Sequence, residues 1–467
     1  MKIFKYILLL SVLWTTSCKK LNENPEAFIS PENFYKTKND AVSAITAVYA
    51  PVRLNGFVTR NYVILGEITT DNMFPLNNSA PRIELNTYAH TSQNGILRET
   101  WDNFYIGITR ANASINRIPE INMEEALRTR LVAEAKFLRA FYYYHLVRLF
   151  GDLPIVTSEV SSLDQLTYPK RDPKADVYKQ IIADLKDAET ILPPSYSGAD
   201  RGRATSGAAK SFLASVYLTL KQYQLAADKA NEVMTLSGAG YGLWDNYPDV
   251  YDIKNEFGKE AIFDAQFVSG PGGQGGNLIA FFAQENNSVG GRGFGSFQPT
   301  TDIYDSYTAG DKRKAVFFIK GTDGKYYVNK WVDADATTEN QSDNNFPLMR
   351  YAEVVLTYAE AYNELNTPVN DNVAYKAVNS IRKRAGLPDL ANLTQDGLRD
   401  AILQERRLEL AFEGSRWFDL VRTGKLVSTL TAKGTTNVRE YHNLFPVPQF
   451  PLGVNPNLAP QNPGYAQ

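Results

Sequence analysis

Apolar residues recur at helical spacing along most of the chain. Val42, Ile45 and Tyr49 fall on one stripe, and the stretch 97–118 repeats the pattern around Trp101. Polar residues fill the intervening positions, as expected of helices that bury one face. Between these stretches, the segment 66–90 is rich in Asn, Thr and Pro and lacks this spacing, which predicts an irregular surface loop.

Several later stretches resemble one another as helix pairs. In "FLASVYLTLKQYQLAADKANEV" (212–233), small alanines and large tyrosines stand where a tetratricopeptide repeat places its packing residues. The stretches 137–154 and 177–193 form a similar pair, as do 353–366 and 374–388. The pattern predicts a mainly α fold, in which tetratricopeptide-like helix pairs stack into a curved scaffold.

The segment from about 237 to 346 breaks this pattern. It is rich in Gly, Asn, Asp and aromatic residues, and it contains the strand-like runs 260–267 and 324–332. We therefore expect a loop-rich insertion with a few short antiparallel strands. The expected organisation is a leader over 1–17, followed by one domain over 18–467 that includes this insertion.

The N-terminus is typical of a secreted protein. Lys2 and Lys5 precede the apolar run 6–14, which is too short to span a bilayer and ends close to Cys18. A cysteine at this point predicts a bacterial lipoprotein, with 1–17 as the signal peptide and Cys18 lipidated. Thr15 stands where such signals usually have leucine, so an ordinary secretory signal with a chance cysteine is the alternative.

Charge and composition exclude several classes of protein. The 467 residues carry a net charge of −2, and no lysine- or arginine-rich face suggests a nucleic-acid partner. Cys18 is the single cysteine, so the chain forms no internal disulfide. His90, His145 and His442 have no partner at metal-ligand spacing, and we expect neither a metal nor a cofactor.

One glycine-rich loop matches a nucleotide-binding motif by spacing. Gly270, Gly272 and Gly275 fit G-x-G-x-x-G, but a dinucleotide site needs a buried parallel strand before this turn. The preceding run alternates polar and apolar residues, which is typical of a half-exposed antiparallel strand. Pro271 also interrupts the motif, so we expect a surface loop beside a hairpin.

The stretch "ERRLELAFEGSRWFDLVR" (405–422) concentrates charged residues. Paired carboxylates could indicate a glycoside hydrolase. However, Glu405, Glu409 and Glu413 share one helix face with arginines between them, which favours ion pairs that keep carboxylates ionised. We interpret these residues as a structural network, with Trp417 fixing the helix end in the core.

Six segments, taken in their order along the chain, resemble the SusD/RagB family of nutrient-binding outer-membrane lipoproteins. They are "SPENFYKTKNDAVSAITAVYAPVR", "AEAKFLRAFYYYHLVRLFGDLPIV", "MRYAEVVLTYAEAYNEL" with "VNSIRKRAGLP", "ERRLELAFEGSRWFDLVRTGK", and the tail "LFPVPQFPLGVNPNLAPQNPGY". The resemblance implies no enzyme activity. It implies a lipoprotein that binds oligosaccharide for glycan (starch-type) uptake and delivers it to a SusC-like TonB-dependent transporter. Lys19 and Lys20 stand where acidic export signals often occur, so outer-membrane attachment is implied more directly than exposure outside the cell.

The resemblance also points to ligand-binding positions. Asp71 and Trp101 lie in segments that resemble those lining the family's pocket, and Trp331 is similarly placed by order along the chain. We expect the two rings to stack on sugars and Asp71 to accept hydrogen bonds from hydroxyls. The alternatives are that both rings belong to the core and that Asp71 caps a turn. If the rings are core, the site is expected among Phe281, Phe282, Phe294 and Phe297.

Two other functions compete with glycan binding. A peptide-binding lipoprotein would have the same fold and differ only in its ligand. A secreted glycoside hydrolase would instead require two carboxyl groups facing each other across one cleft.

Overall fold

The computed structural model describes residues 34–466, except for 77–78, 160–167, 272, 286–292, 337, 339–340 and 367–371. The predicted signal peptide and Cys18 lie outside the described residues. The longer helices are α1 (Lys38–Tyr49), α2 (Gly95–Arg117), α3 (Glu125–Phe150), α4 (Lys174–Ile191), α5 (Ser206–Thr219), α6 (Tyr223–Met234), α7 (Tyr351–Leu365), α8 (Val373–Arg384) and α9 (Gln395–Glu409).

These helices pack in sequence order. α2 contacts α3, α3 contacts α4, α4 contacts α5, and α5 contacts α6. After the insertion, α7 packs against α6 and then against α8 and α9. The alanines of α5 and α6, such as Ala209 and Ala226, are buried and allow close helix approach. The mainly α fold with tetratricopeptide-like helix pairs is therefore confirmed.

Helix α3 lies at the centre of the largest hydrophobic core. Its second half is buried on nearly every side, including Phe137, Tyr142 and Phe150, because other helices surround it. The helix ends at Gly151, whose φ of +75° suits glycine.

The strands are short and form two-stranded antiparallel sheets. They are β1 (Met73–Pro75), β2 (Ala261–Ala265), β3 (Phe297–Pro299), β4 (Phe318–Lys320), β5 (Tyr326–Val328) and β6 (Phe346–Arg350). The pairs are β1 with β3, β2 with β6, and β4 with β5. The antiparallel pairing of β2 rules out the strand context of a dinucleotide fold. The loop after it closes through an antiparallel bridge between Val268 and Gln274.

Short helices connect these elements. They are Asn61–Val63, Ala80–Asn86, Tyr247–Tyr251, Leu278–Phe282, Thr301–Ser306, Lys312–Phe317, Arg416–Arg422, Leu426–Ala432 and Gln449–Val454. At one point two segments that are distant in sequence touch through glycine backbones. A Cβ on Gly66 would lie 2.1 Å from the carbonyl oxygen of Gly414, so only glycine fits there. This contact fixes the segment containing Asp71 against the segment that follows α9.

Candidate functional site

The acidic side chains at the end of α9 lie in a buried ion network. Glu409 Oε1 accepts hydrogen bonds from Arg350 Nη1 at 2.7 Å and from Arg384 Nη2 at 2.5 Å, and its Oε2 lies 3.3 Å from Arg313 Nη1. Burial alone would raise the pKa of Glu409, but these three guanidinium groups hold it well below its usual range. Glu409 is therefore kept ionised.

The neighbouring carboxylates are held in the same way. Glu413 accepts from Arg350 Nε at 2.7 Å and from Lys330 Nζ at 2.6 Å, and its pKa is lowered. Glu405 accepts from Arg313 Nη1 at 2.6 Å. A general acid needs a raised pKa, so Glu409 and Glu413 suit a structural role. Trp417 is fully buried and stacks on Phe445, with ring centroids 4.9 Å apart. Both features agree with the structural interpretation made from the sequence.

Asp71 lies beneath the surface. Its Oδ1 accepts from Arg416 Nε at 2.9 Å, and its Oδ2 accepts from Arg416 Nη2 at 3.0 Å and lies 3.0 Å from Arg407 Nη2. Burial raises the pKa of Asp71, but Arg416 and Arg407 lower it by more, so the net direction is downward. The carboxylate oxygens expected to meet sugar hydroxyls are thus engaged by arginines from the far end of the chain.

Both tryptophans lie where the core alternative places them. Trp101 on α2 is 5% exposed and packs on Tyr105 and Phe150, with ring centroids 5.0 and 5.1 Å away. Trp331 is also 5% exposed, and Phe282 and Phe346 stack on it nearly parallel, each at 5.2 Å. Polar neighbours in sequence suggested open rings, but packing partners cover them, and most of these partners come from other parts of the chain. In this structure neither ring presents a free face to a ligand.

An exposed aromatic surface occurs beside the β1–β3 pair. Phe294 is 39% exposed and packs edge-to-face on Phe281 at 5.4 Å, while Phe281 stacks on Phe297 at 4.9 Å with 12° between the planes. The Arg82 guanidinium carbon lies 5.4 and 5.3 Å from the centroids of Phe281 and Phe297. Leu76 and Ile83 are exposed on the same segment of chain. We call Arg82, Phe281, Phe294 and Phe297 the phenylalanine patch.

Backbone pairing holds this patch in place. Pro75 of β1 pairs with Phe297 of β3, and Leu76 N donates to Ser296 O at 3.1 Å. Phe294 N donates to Ala280 O at 2.7 Å, which fixes the exposed ring beside the short helix that carries Phe281. Flat rings can stack on the apolar faces of sugars, and a guanidinium can donate to hydroxyls. Three of these residues were the expected alternative to the tryptophans, whereas no sequence pattern pointed to Arg82.

Two further properties concern only the residues that the structure describes. Among them, no group of three or more His, Cys, Asp or Glu side chains could hold a metal ion. Within the same residues, no helix has the length and apolar character needed to cross a bilayer.

Comparisons with known proteins agree with this architecture. Residues 317–465 match the model of the SusD family, and residues 34–218 match a model described as "Starch-binding associating with outer membrane". SusD-like protein P2 of Formosa agariphila is 31% identical over 100% of both chains. The starch-binding protein SusD of Bacteroides thetaiotaomicron is 24% identical over 83% of this chain and 82% of its own length.

Solved structures show the same fold. A SusD superfamily protein from Parabacteroides distasonis superposes with a TM-score of 0.82, at 27% identity over 92% of this chain and 99% of that one. A laminarin-binding SusD-like protein also reaches 0.82, at 28% identity over 92% of this chain and 100% of that one. By the family models, the full-length relative and these structures, the chain belongs to the SusD/RagB family, whose matched members include carbohydrate-binding proteins associated with the outer membrane.

Proposed function

We propose that this protein is a lipid-anchored outer-membrane protein that binds oligosaccharide and delivers it to a SusC-like TonB-dependent transporter. The phenylalanine patch is the observation that carries the binding part of the proposal. It places the exposed ring of Phe294 against the buried, stacked rings of Phe281 and Phe297, with the Arg82 guanidinium beside those two rings. Binding energy at such surfaces is usually concentrated in a few aromatic anchors with polar groups nearby.

Of the residues first expected to bind, Trp331 supports the patch from beneath. Trp331 stacks on Phe282, and Phe282 packs edge-to-face on Phe297 at 5.8 Å. Asp71 forms ion pairs with Arg416 and Arg407. It lies just before β1, the strand that pairs with β3. Trp101 fills the core below α2. Direct ligand contact by Asp71, Trp101 or Trp331 stays a prediction, and it requires these side chains to become exposed when ligand binds.

The binding test compares two exposed phenylalanines. We expect Phe294→Ala to weaken binding of a laminari- or malto-oligosaccharide about tenfold, on the scale of about 1–3 kcal/mol for stacking on an aromatic ring. Isothermal titration calorimetry measures the affinity, and a melting curve checks the fold. Phe450→Ala is the matched control, because Phe450 is 53% exposed on the helix Gln449–Val454 near Arg98.

The outcome separates the competing functions. Unchanged glycan affinity in both Phe294→Ala and Arg82→Gln would show that the phenylalanine patch does not bind the glycan. Binding of peptides instead of glycans in the same titrations would favour a peptide-binding protein. New reducing ends after incubation with the oligosaccharide would indicate a glycoside hydrolase, and we expect none.

The anchor and the transporter need cellular tests. Cys18 lies outside the described residues, and its place behind a short apolar run motivates lipidation. Cys18→Ala should release the protein from the outer-membrane fraction, and protease treatment of intact cells should digest the anchored protein if it faces outward. A TonB-dependent barrel should co-purify with the wild type. Retention of Cys18→Ala in the membrane would contradict the anchor.

A further inference from the structure

A second cleft lies away from the phenylalanine patch and shares none of its residues. It encloses about 190 Å³ between α1, the segment 198–203 and β2. Its polar lining includes Arg53, Arg201, Asp264 and Gln266, and Tyr49 and Phe263 contribute aromatic walls. We call this the arginine cleft. Its volume is below the usual range for drug-sized ligands, so it suits a molecule of about one sugar unit.

Three arginines, Arg53, Arg201 and Arg203, line this cleft, and they differ in their partners. Arg203 is neutralised, because it pairs with Glu134 at 3.0 Å and with Asp200 at 2.8 Å. Arg53 and Arg201, in contrast, form no ion pair with any residue that the structure describes. Arg53 is half-buried, and burial lowers its pKa. Arg201 is exposed, and its guanidinium carbon lies 5.1 Å from the ring centroid of Phe257. Two positive charges therefore line the cleft without a counter-ion among the residues that the structure describes.

Asp264 does not supply the missing negative charge. It lies on β2 beside two register shifts against β6, one between Ala261 and Phe263 and one between Phe263 and Asp264. Bulges of this kind re-aim side chains. Its Oδ1 is buried and has no hydrogen-bond partner among the described residues. Burial, with a smaller effect of Glu256, raises the pKa of Asp264 to about 8. At neutral pH its carboxyl group is mostly protonated, so it can both donate and accept hydrogen bonds.

We infer that the arginine cleft binds a negatively charged sugar unit, with its carboxylate or sulfate group on Arg53 and Arg201 and its hydroxyl groups on Asp264 and Gln266. Unpaired guanidinium groups favour anions through charge-assisted hydrogen bonds. The uncharged polar groups beside them match the hydroxyls of a sugar. The aromatic walls of Tyr49 and Phe263 match its apolar faces.

The test uses small probes of known charge. Titration of glucuronate and of glucose 6-sulfate should show saturable binding, and glucose should bind at least about tenfold more weakly, on the scale of a charge-assisted hydrogen bond. Arg53→Gln and Arg201→Gln should each lower glucuronate affinity about tenfold, and Asp264→Ala should lower it as well. Lys376→Gln is the control, since it removes one positive charge from the exposed face of α8.

Several results would overturn this inference. Equal affinity for glucose and glucuronate would remove the role of charge. Unchanged glucuronate affinity in both arginine variants would show that the arginine cleft does not bind anionic sugars. The absence of saturable binding by either anionic sugar would show the same. Inorganic sulfate binding as tightly as glucose 6-sulfate would show that the hydroxyl contacts do not exist. Glucuronate binding should persist in Phe294→Ala, and its loss there would show that the cleft is not a separate site.

Discussion

Replacing Glu409 with Gln isolates the role of the buried ion network. The substitution keeps the size of the side chain and removes one negative charge at a site with no solvent exposure. Arg313, Arg350 and Arg384 then lose part of their charge compensation. Removing one partner of a buried ion pair typically costs about 3–5 kcal/mol, because the remaining charge stays buried.

The carboxylates that remain around these arginines place this cost at the lower end of that range. Glu260 still accepts from Arg350 at 2.8 Å and from Arg384 at 2.6 Å. Arg313 keeps Asp311 at 2.8 Å and Glu405 at 2.6 Å. Every arginine therefore retains a carboxylate, and we expect a loss of about 3 kcal/mol in the free energy of unfolding at pH 7.

Urea unfolding followed by tryptophan fluorescence measures this loss. Asp396→Asn is the matched control on the same helix, because its side chain is 87% exposed and should cost less than about 0.5 kcal/mol. A Glu409→Gln protein within about 1 kcal/mol of the wild type would refute the reasoning. So would a loss of glycan binding with stability fully retained, since that would make Glu409 functional.

The pH dependence of the same variant follows from the lowered pKa of Glu409. A carboxylate with a lowered folded-state pKa stabilises the fold above its unfolded pKa, and this contribution is lost as pH falls towards the folded value. The stability difference between wild type and Glu409→Gln should therefore be full at neutral pH and shrink below about pH 4. A difference that grows on acidification would contradict the assigned ion pairs.

Other predictions test separate parts of the structure. Trp331→Ala should cost about 3–5 kcal/mol in urea unfolding, because the ring is packed between buried aromatic residues; an unchanged midpoint would show that the ring is exposed in solution. Asp264→Asn should stabilise the protein by roughly 2 kcal/mol or more at pH 8 and have little effect at pH 4. Because the pKa of Asp264 is raised in the folded protein, the wild type loses stability as pH rises from 4 to 8, and the variant does not. Melting curves at the two pH values check this. NAD, NADP and ATP should cause no shift in melting temperature, and micromolar binding of any of them would overturn the assignment of the glycine loop.

The helical scaffold was predictable because its signals are local. Apolar spacing within 212–233 or 353–366 is enough to predict a helix, and the structure has helices there. The antiparallel strand at 261–265 was also predictable, from alternation over a few residues. Neither prediction depends on which distant segment covers the apolar face.

The candidate site was less predictable because exposure depends on distant partners. Trp331 follows polar loop residues, but the rings that cover it belong to Phe282 and Phe346, in two other parts of the chain. The same holds for Asp71, whose partner Arg416 is 345 positions away. The sequence indicated charge pairing around Glu409, but it could not identify Arg313 or Arg350 as the partners.

The ion network also explains how a long, loop-rich insertion can present defined surfaces. Arg313, Lys330 and Arg350 come from three points along or just beyond the insertion. Arg313 binds Glu405 in the last turns of α9, and Lys330 and Arg350 bind Glu413 just after it. Charged hydrogen bonds constrain distance and direction, so each contact fixes its stretch of chain more tightly than apolar packing alone. The residues between these anchors need only complete short strands and loops, and their surface side chains can vary at little cost to the fold. Both proposed binding surfaces are built in part on such chain. The rings of the phenylalanine patch lie on the stretch that precedes Arg313, and one wall of the arginine cleft is β2, which is held by β6 and Arg350. Weakening the network should therefore disturb both surfaces together, whereas a change on either surface should leave the other intact.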